Sequence, residues 1–167
     1  MYPEDMIAPM RAELANSGYA ETKTPEEVTA AITAQGTTLV VVNSVCGCAA
    51  GSARPAAMAA AKSEVKPDRM ITVFAGNDKA AVDEARKHML PFPPSSPAMA
   101  LFKDGELVHM IERHHIEGRT AQMLPETYSV HLKNTASNSN YLSWKRVKTL
   151  RPLPFMAGST PTQPPGQ

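Results

Sequence analysis

The chain has little cysteine, with 2 in 167 residues. That excludes a fold stapled by a disulfide framework. It also lacks an excess of either charge. Lys+Arg is 17 and Asp+Glu is 16, a net of +1, so neither nucleic acid nor an anionic membrane surface is an expected partner. No apolar run approaches the ~20 residues of a membrane span. The opening Met1-Tyr2-Pro3-Glu4-Asp5 carries acids where a secretory signal would carry Lys or Arg. The cytoplasm is therefore the expected compartment. What is present is 43% hydrophobic and 20% charged, enough for one ordinary domain with a buried core. The near-neutral total hides an asymmetry. The last 30 residues hold Lys145, Arg146, Lys148 and Arg151 and no acid, which leaves 13 basic against 16 acidic residues in 1–137.

Periodicity places the elements. Pro3 to Ser17 reads as a helix with Met6, Ile7, Met10 and Leu14 on its apolar face, stopped by Gly18. Pro25 to Ala34 reads as a second helix. Thr24 stands as N-cap, Pro25 at the first helical position, and Glu27 at capping-box spacing. TTLVVVN (Thr37 to Asn43) is a short β-branched run, expected as a strand covered on both faces. After a turn at Ser44 to Cys48, the Ala-rich stretch to Ser63 is helical, starting between Ala50 and Arg54 so that Pro55 falls early.

MITVFA (Met70 to Ala75) is a further strand. Gly76-Asn77-Asp78 is a turn with a cap, and Lys79 to Met89 is a helix. After the proline-dense loop Pro91 to Pro97, AMALFK and ELVHMIE (Ala98 to Lys103, Glu106 to Glu112) form a hairpin about Asp104-Gly105. The expected fold is α/β and thioredoxin-like: a central mixed sheet, β-α-β-α-β-β, flanked by helices and preceded by N-terminal helices. Met58, Met70, Met89, Met99, Met110 and Met123 read as core fillers, and His88 as a helix-surface residue.

Cys46-Gly47-Cys48 follows a buried strand and precedes a helix. Open α/β sheets place their sites at the carboxyl ends of strands. A helix amino terminus offers unpaired N–H groups and a positive dipole, which favour a thiolate. Gly47 permits a tight bend and leaves the sulfurs accessible. A disulfide across so short a span closes a small, strained ring, which favours facile exchange over a permanent staple. Two other readings stand beside redox chemistry. The cysteines are small buried hydrophobes in the first. In the second they bind a soft metal, with His109, His114 and His115 completing the four ligands that structural zinc needs. The adjacency of His114 and His115 argues against the metal, because neighbours on a strand face opposite ways.

Ser96-Pro97, just before a strand, is where a thioredoxin fold places a cis-proline facing the cysteines. There it offers strand-like backbone to an incoming thiol and excludes metal. Asn43, Gly47, Ser96 and Pro97 are the expected substrate-facing positions. Arg113, with Glu112, His114 and Glu117, reads either as bordering the site or as a solvated strand end.

The stretches VVVNSVCGCAAGSARPA (Val40 to Ala56), TVFAGNDKAA (Thr72 to Ala81), PPSSPAMALFKDGELVHMIERHHIEG (Pro93 to Gly118) and PMRAEL (Pro9 to Leu14) resemble the bacilliredoxin family. The resemblance implies a thioredoxin-like thiol–disulfide oxidoreductase. Its substrates would be proteins in mixed disulfide with bacillithiol, a low-molecular-weight thiol that serves as co-substrate, with no bound cofactor and no metal. Cys46 would attack the mixed disulfide, and Cys48 or a second bacillithiol would resolve the adduct. Position supports those roles: Cys46 lies nearer the strand end and Cys48 nearer the helix interior. The implied partners are S-thiolated client proteins and bacillithiol, and the chain is expected to be a monomer.

The resemblance covers residues 1–124, read as the domain. Thr120 onward begins a last helix on this reading. Residues 125–167 depart from the family pattern, which closes on an amphipathic helix, and read as a largely disordered extension rich in Pro, Gly and Ser. A frame-altered terminus and a partner-binding tail, the latter built on Tyr141, Leu142, Trp144 and the basic residues, are the two explanations. The competing functions are a metal chaperone or sensor using the CxC pair, and an interaction protein acting through that tail.

Overall fold

The computed structural model describes residues 1–117. The expected last helix, Met123 and the extension 125–167 lie outside those residues. Five α-helices and five strands follow one another among these residues: α1 (Glu4–Ala15), β1 (Ala20–Glu21), α2 (Pro25–Thr33), β2 (Thr37–Asn43), α3 (Arg54–Ala61), β3 (Arg69–Phe74), α4 (Lys79–His88), β4 (Ala98–Lys103), β5 (Glu106–Ile111) and α5 (Arg113–Ile116). A π-helical turn, Ala49–Ala53, leads into α3. Pro55 has no N–H to continue a regular ladder backwards, and it sits in the first turn of α3.

The strands form one sheet in the order β1-β3-β2-β4-β5. β1, β3 and β2 run parallel, while β4 and β5 are antiparallel additions. β2 is the central strand. All seven of its residues are buried, and its alternation builds two cores. Leu39 and Val41 pack on one face with Leu14, Tyr19, Ala57, Met99 and Leu101. Val40 and Val42 pack on the other with Val28, Ile32, Val73, Val82 and Phe102. Each buried aliphatic of this kind contributes about 1.5–3 kcal/mol, so β2 anchors both layers and fixes where its carboxyl end emerges.

Local chemistry matches the expected ends closely. Thr24 and Glu27 form the capping box. Asp104 (φ 50°) and Gly105 (φ 84°) both take left-handed conformations in the hairpin turn, as a two-residue type I′ loop requires. Met89, Met99 and Met110 are buried, and Met58 and Met70 pack partly buried against the core.

Three expectations are corrected. The sheet has a further strand, β1, with no counterpart in the sequence pattern. Its two residues pair with Ile71 and Thr72 of β3, and a two-residue strand carries no periodicity. The apolar face of α1 is not Met6-Met10-Leu14. Ile7, Arg11 and Leu14 are buried, whereas Met6 is exposed. The register is decided by Arg11, whose guanidinium is drawn inward to Asp78. Asp78 in turn is no side-chain cap for α4, because its carboxylate accepts from Arg11 and from the Phe74 N–H instead.

Candidate functional site

Cys46 sits three residues beyond the end of β2, where the chain turns into helix. Its carbonyl accepts from the N–H groups of Ala49 and Ala50 at 3.0 and 3.2 Å, so the helical ladder begins at Cys46 itself. The Ala49 N–H also donates to Cys46 Sγ at 3.3 Å, and the Ser44 hydroxyl lies 3.3 Å from the same sulfur. An amide at a helix amino terminus and a hydroxyl both stabilise negative charge on sulfur. Cys46 and Cys48 are joined by a disulfide, their Cα atoms 5.4 Å apart.

Both cysteines are half-buried, so exposure does not rank them. What separates them is position. Cys46 lines an open depression of about 320 Å³ and Cys48 is not among its lining residues. Gly47 is exposed, and a Cβ there would meet nothing within 4 Å. Its backbone is outside the left-handed region. Its contribution is therefore an uncovered face over the sulfurs rather than an unusual bend.

The layer under the cysteines is dense and charged. Arg54, 3% exposed, donates through Nε to Glu13 (2.7 Å) and through Nη1 to the Ser44 carbonyl (3.0 Å) and Asn43 Oδ1 (3.3 Å). Asn43, 1% exposed, donates to the Met10 carbonyl and accepts from the Ser44 N–H. The structure thus places Asn43 beneath the site and not at its surface. It is a positioning residue that ties α1 to the Ser44 backbone. Arg11 continues the layer. It grips Asp78 bidentately at 2.7 and 2.8 Å, pairs with Glu4 at 3.0 Å, and lies 5.0 Å over the Phe74 ring. The Asp78 hydrogen bonds hold its guanidinium more basic than usual, against the desolvation that opposes them.

Ser96 and Pro97 lie where the sequence expects them. The Ser96–Pro97 bond is cis, as is Leu90–Pro91. Ser96 shares the Cys46 depression, while Pro97 is buried. Arg113 fits both of its readings: it is exposed at the end of β5, and it borders the depression with Nη1 3.5 Å from the Ser96 carbonyl. Tyr2, Ser44, Gly76 and Arg86 line it as well, beyond the positions that the sequence singles out. Ser44 has a usable signal in its position just before the motif. Tyr2 has none. It arrives through a paired contact with Asn77, 75 residues away (2.9 Å in each direction), and its ring lies against Gly76.

The histidines behave differently from the strand-based expectation. Residues 113–116 form a helical turn, so His114 and His115 do not diverge. Their ring centroids are 3.9 Å apart, and with Glu112 their ligand atoms lie within 4.8 Å of one another. Neither cysteine nor His109 belongs to that group. Two of its members, Glu112 and His115, are already engaged with each other. The Glu112 carboxylate accepts from the His115 N–H, and His115 Nδ1 accepts from the Glu112 N–H. That reciprocal pattern caps α5. His88 is half-buried, edge-on to Phe102. Among the described residues no helix is long and apolar enough to cross a membrane.

Comparison with solved structures identifies the fold. A putative oxidoreductase with a thioredoxin fold superposes with TM-score 0.54 at 13% identity, over 69% of this chain and 96% of its own. A mutant thioredoxin from Halobacterium salinarum gives 0.52 at 14%, over 70% and 92%. The chain has the thioredoxin fold, with its cysteine pair just beyond the carboxyl end of the central strand.

A family model described as disulphide isomerase matches residues 2–135. A bacilliredoxin of Cytophaga hutchinsonii is 56% identical over 133 residues, 80% of this chain and 96% of that protein. One of Halalkalibacterium halodurans is 52% identical over 124 residues, 74% and 86%. The chain belongs to the bacilliredoxin family.

Proposed function

We propose that the protein removes bacillithiol from proteins that carry it in mixed disulfide. The observation that supports this most is the placement of Cys46. Among the described residues it is the one cysteine on the open depression, and its Sγ is met by the Ala49 amide and the Ser44 hydroxyl. In the reduced protein the Cys46 thiolate attacks the bacillithiol sulfur. The mixed disulfide breaks, the client thiolate leaves and takes a proton, and a Cys46–bacillithiol disulfide forms. The Cys48 thiolate then attacks Cys46 Sγ, expels bacillithiol as a thiol, and closes the Cys46–Cys48 disulfide. The client mixed disulfide has gained two electrons and the cysteine pair has lost two. Free bacillithiol attacking the bacillithiol sulfur of the Cys46 adduct is the alternative resolving step: it expels the Cys46 thiolate, forms bacillithiol disulfide and leaves Cys48 reduced.

In the first route both electrons come from the cysteine pair, so client release needs no bound cofactor or metal, and a further thiol must reduce the Cys46–Cys48 disulfide before the next turnover. Ser96, just before β4, lines the same depression as Cys46 and faces the client segment on this reading. Gly47 leaves room above the sulfurs. The proposed setting is the cytoplasm, with the chain acting as a monomer.

The test is a de-thiolation assay. A client carrying a bacillithiol mixed disulfide is mixed with the reduced protein, and intact mass follows client release. Wild type should release the client. Cys46→Ala should leave it modified, and Cys48→Ala should accumulate bacillithiol on Cys46. An adduct on Cys48 instead would reverse the roles. A client left modified by every variant would end the reading.

A further inference from the structure

We infer that Glu112, His114 and His115 form a binding site for a divalent cation of the zinc class, separate from the cysteine pair. The sequence argues against a metal at these histidines, because neighbours on a strand diverge. The fold removes that objection. Residues 113–116 turn helically, and the two imidazole rings meet with centroids 3.9 Å apart and planes inclined at 48°. One ligand atom from each ring and one from the carboxylate lie within 4.8 Å of one another. None of the three residues lines the Cys46 depression.

The carboxylate independently calls for a cation. Glu112 is 9% exposed, and buried charges are ordinarily paired or bound to metal. Among the described residues no lysine or arginine is paired with it. Its neighbour Arg113 turns to Glu117 instead, at 2.6 Å. What Glu112 accepts is the backbone N–H of His115, a neutral donor. A buried negative charge therefore sits beside two imidazoles with no basic side chain to balance it.

The distances suit closure on an ion. A tetrahedral zinc with bonds of about 2.0–2.1 Å holds its ligands about 3.3 Å apart. Drawing in from 4.8 Å asks for at most about 1.5 Å of movement. His114 is exposed, so its ring has room to swing. His115 already presents a lone pair, because its Nδ1 accepts from the Glu112 N–H at 3.2 Å. A cation taking that nitrogen displaces one long hydrogen bond and opens half of the α5 cap. Two imidazole nitrogens with one carboxylate suit zinc and its transition-metal neighbours, whereas calcium and magnesium take shells of oxygen. Three protein ligands leave a further position to water. Arg113 stands between two of the ligands in the chain and borders the depression, so a bound ion would stiffen the turn that carries it.

The experiment uses the full chain with its Cys46–Cys48 disulfide intact, so that neither sulfur is a thiolate ligand. After treatment with a chelator and dialysis, calorimetric titration with ZnCl2 should saturate at one ion per chain. His114→Ala, His115→Ala and Glu112→Gln should each weaken binding by at least about tenfold. His88→Ala should leave it in place, as should His131→Ala, whose histidine lies outside the described residues. Heteronuclear NMR adds a positional readout. Zn2+ should move the imidazole signals of His114 and His115 and the Glu112 amide, and leave the His88 imidazole where it is. Mg2+ at the same concentration should move none of them.

His114→Ala changes an exposed side chain and poses little risk to folding. Zn2+ affinity unchanged in that variant would overturn the inference. So would binding that is lost with His131→Ala, the absence of any heat or shifted imidazole signal, or a titration that never saturates at one ion per chain, which is an adventitious ion only. The protein stays oxidised throughout, so each of these outcomes leaves the oxidoreductase reading of Cys46 standing.

Discussion

The floor under the cysteines and the rim around them are built from the same residue type and behave in opposite ways. Arg11 and Arg54 in the floor are buried. Asp78 and Glu4 engage the first guanidinium, and Glu13, Asn43 and the Ser44 carbonyl engage the second. Arg86 and Arg113 in the rim border the depression with incomplete or one-sided pairing. A buried charge held by several partners fixes geometry, and its loss is expensive. A charge at a cleft with donors to spare acts on what arrives. The floor holds Ser44 and hence Cys46 in place, and the rim leaves its donors incompletely paired. The difference between floor and rim here is one of partner count and not of residue identity.

That contrast can be broken from the floor first. Asp78→Ala removes both acceptors of the buried Arg11 fork and the acceptor of the Phe74 N–H. An uncompensated buried charge of this kind costs about 3–5 kcal/mol. Urea unfolding followed by circular dichroism should show a midpoint lowered accordingly, and a shift below about 1 kcal/mol would mean that Glu4 and Glu21 suffice for Arg11.

Arg54→Met should cost less, about 2–4 kcal/mol, because Glu13 is partly exposed and can be rehydrated while the Ser44 carbonyl loses a buried donor. Its sharper signature is kinetic. Slack in the Ser44 backbone should slow client release in the de-thiolation assay. Release at the wild-type rate would show that Ser44 holds Cys46 without Arg54.

Gly76→Ala tests the rim's shape. The position needs φ near +96°, and a Cβ would approach the Tyr2 ring to 2.9 Å. The backbone penalty is about 1–2 kcal/mol, and Tyr2 must swing aside. The midpoint of thermal unfolding should drop by a few degrees, with a rise in KM for the thiolated client. An unchanged KM would show that the Tyr2 wall does not touch the substrate.

The smallest effect lies at the far end of β2, away from the site. Asp68 accepts from the Thr37 N–H and hydroxyl, which hold its carboxyl below the usual range. A depressed carboxylate contributes stability that is complete above its unfolded pKa of about 3.9 and is lost as pH falls through the folded value. Asp68→Asn should flatten the acid limb of stability against pH and leave neutral-pH turnover unaltered. An acid limb identical to wild type would remove Asp68 from the account.

Much of the fold is legible in the sequence because its signals are local. Thr37 to Asn43 declares a buried strand by β-branching, and Asp104-Gly105 declares a hairpin by backbone preference. The cysteine pair announces itself by falling between a strand and a helix. The departures share a cause. Arg11 overrides the Met6-Met10 stripe because its partner Asp78 is 67 residues away. His114 and His115 look like diverging strand neighbours in the sequence, and the helical turn at 113–116 brings them together.

The sequence by itself determined the two-core sheet, the ends of its main elements and the position of Cys46 at a helix start, because periodicity, capping and turn chemistry act over a few residues. Only the tertiary structure decided which charges are spent and which are left over. Asn43 was drawn beneath the site, Tyr2 was carried across to Gly76, and Arg86 and Arg113 were brought to the depression that Cys46 lines. Those outcomes depend on which partners the folded chain brings within hydrogen-bonding reach, and separation along the sequence carries no record of that.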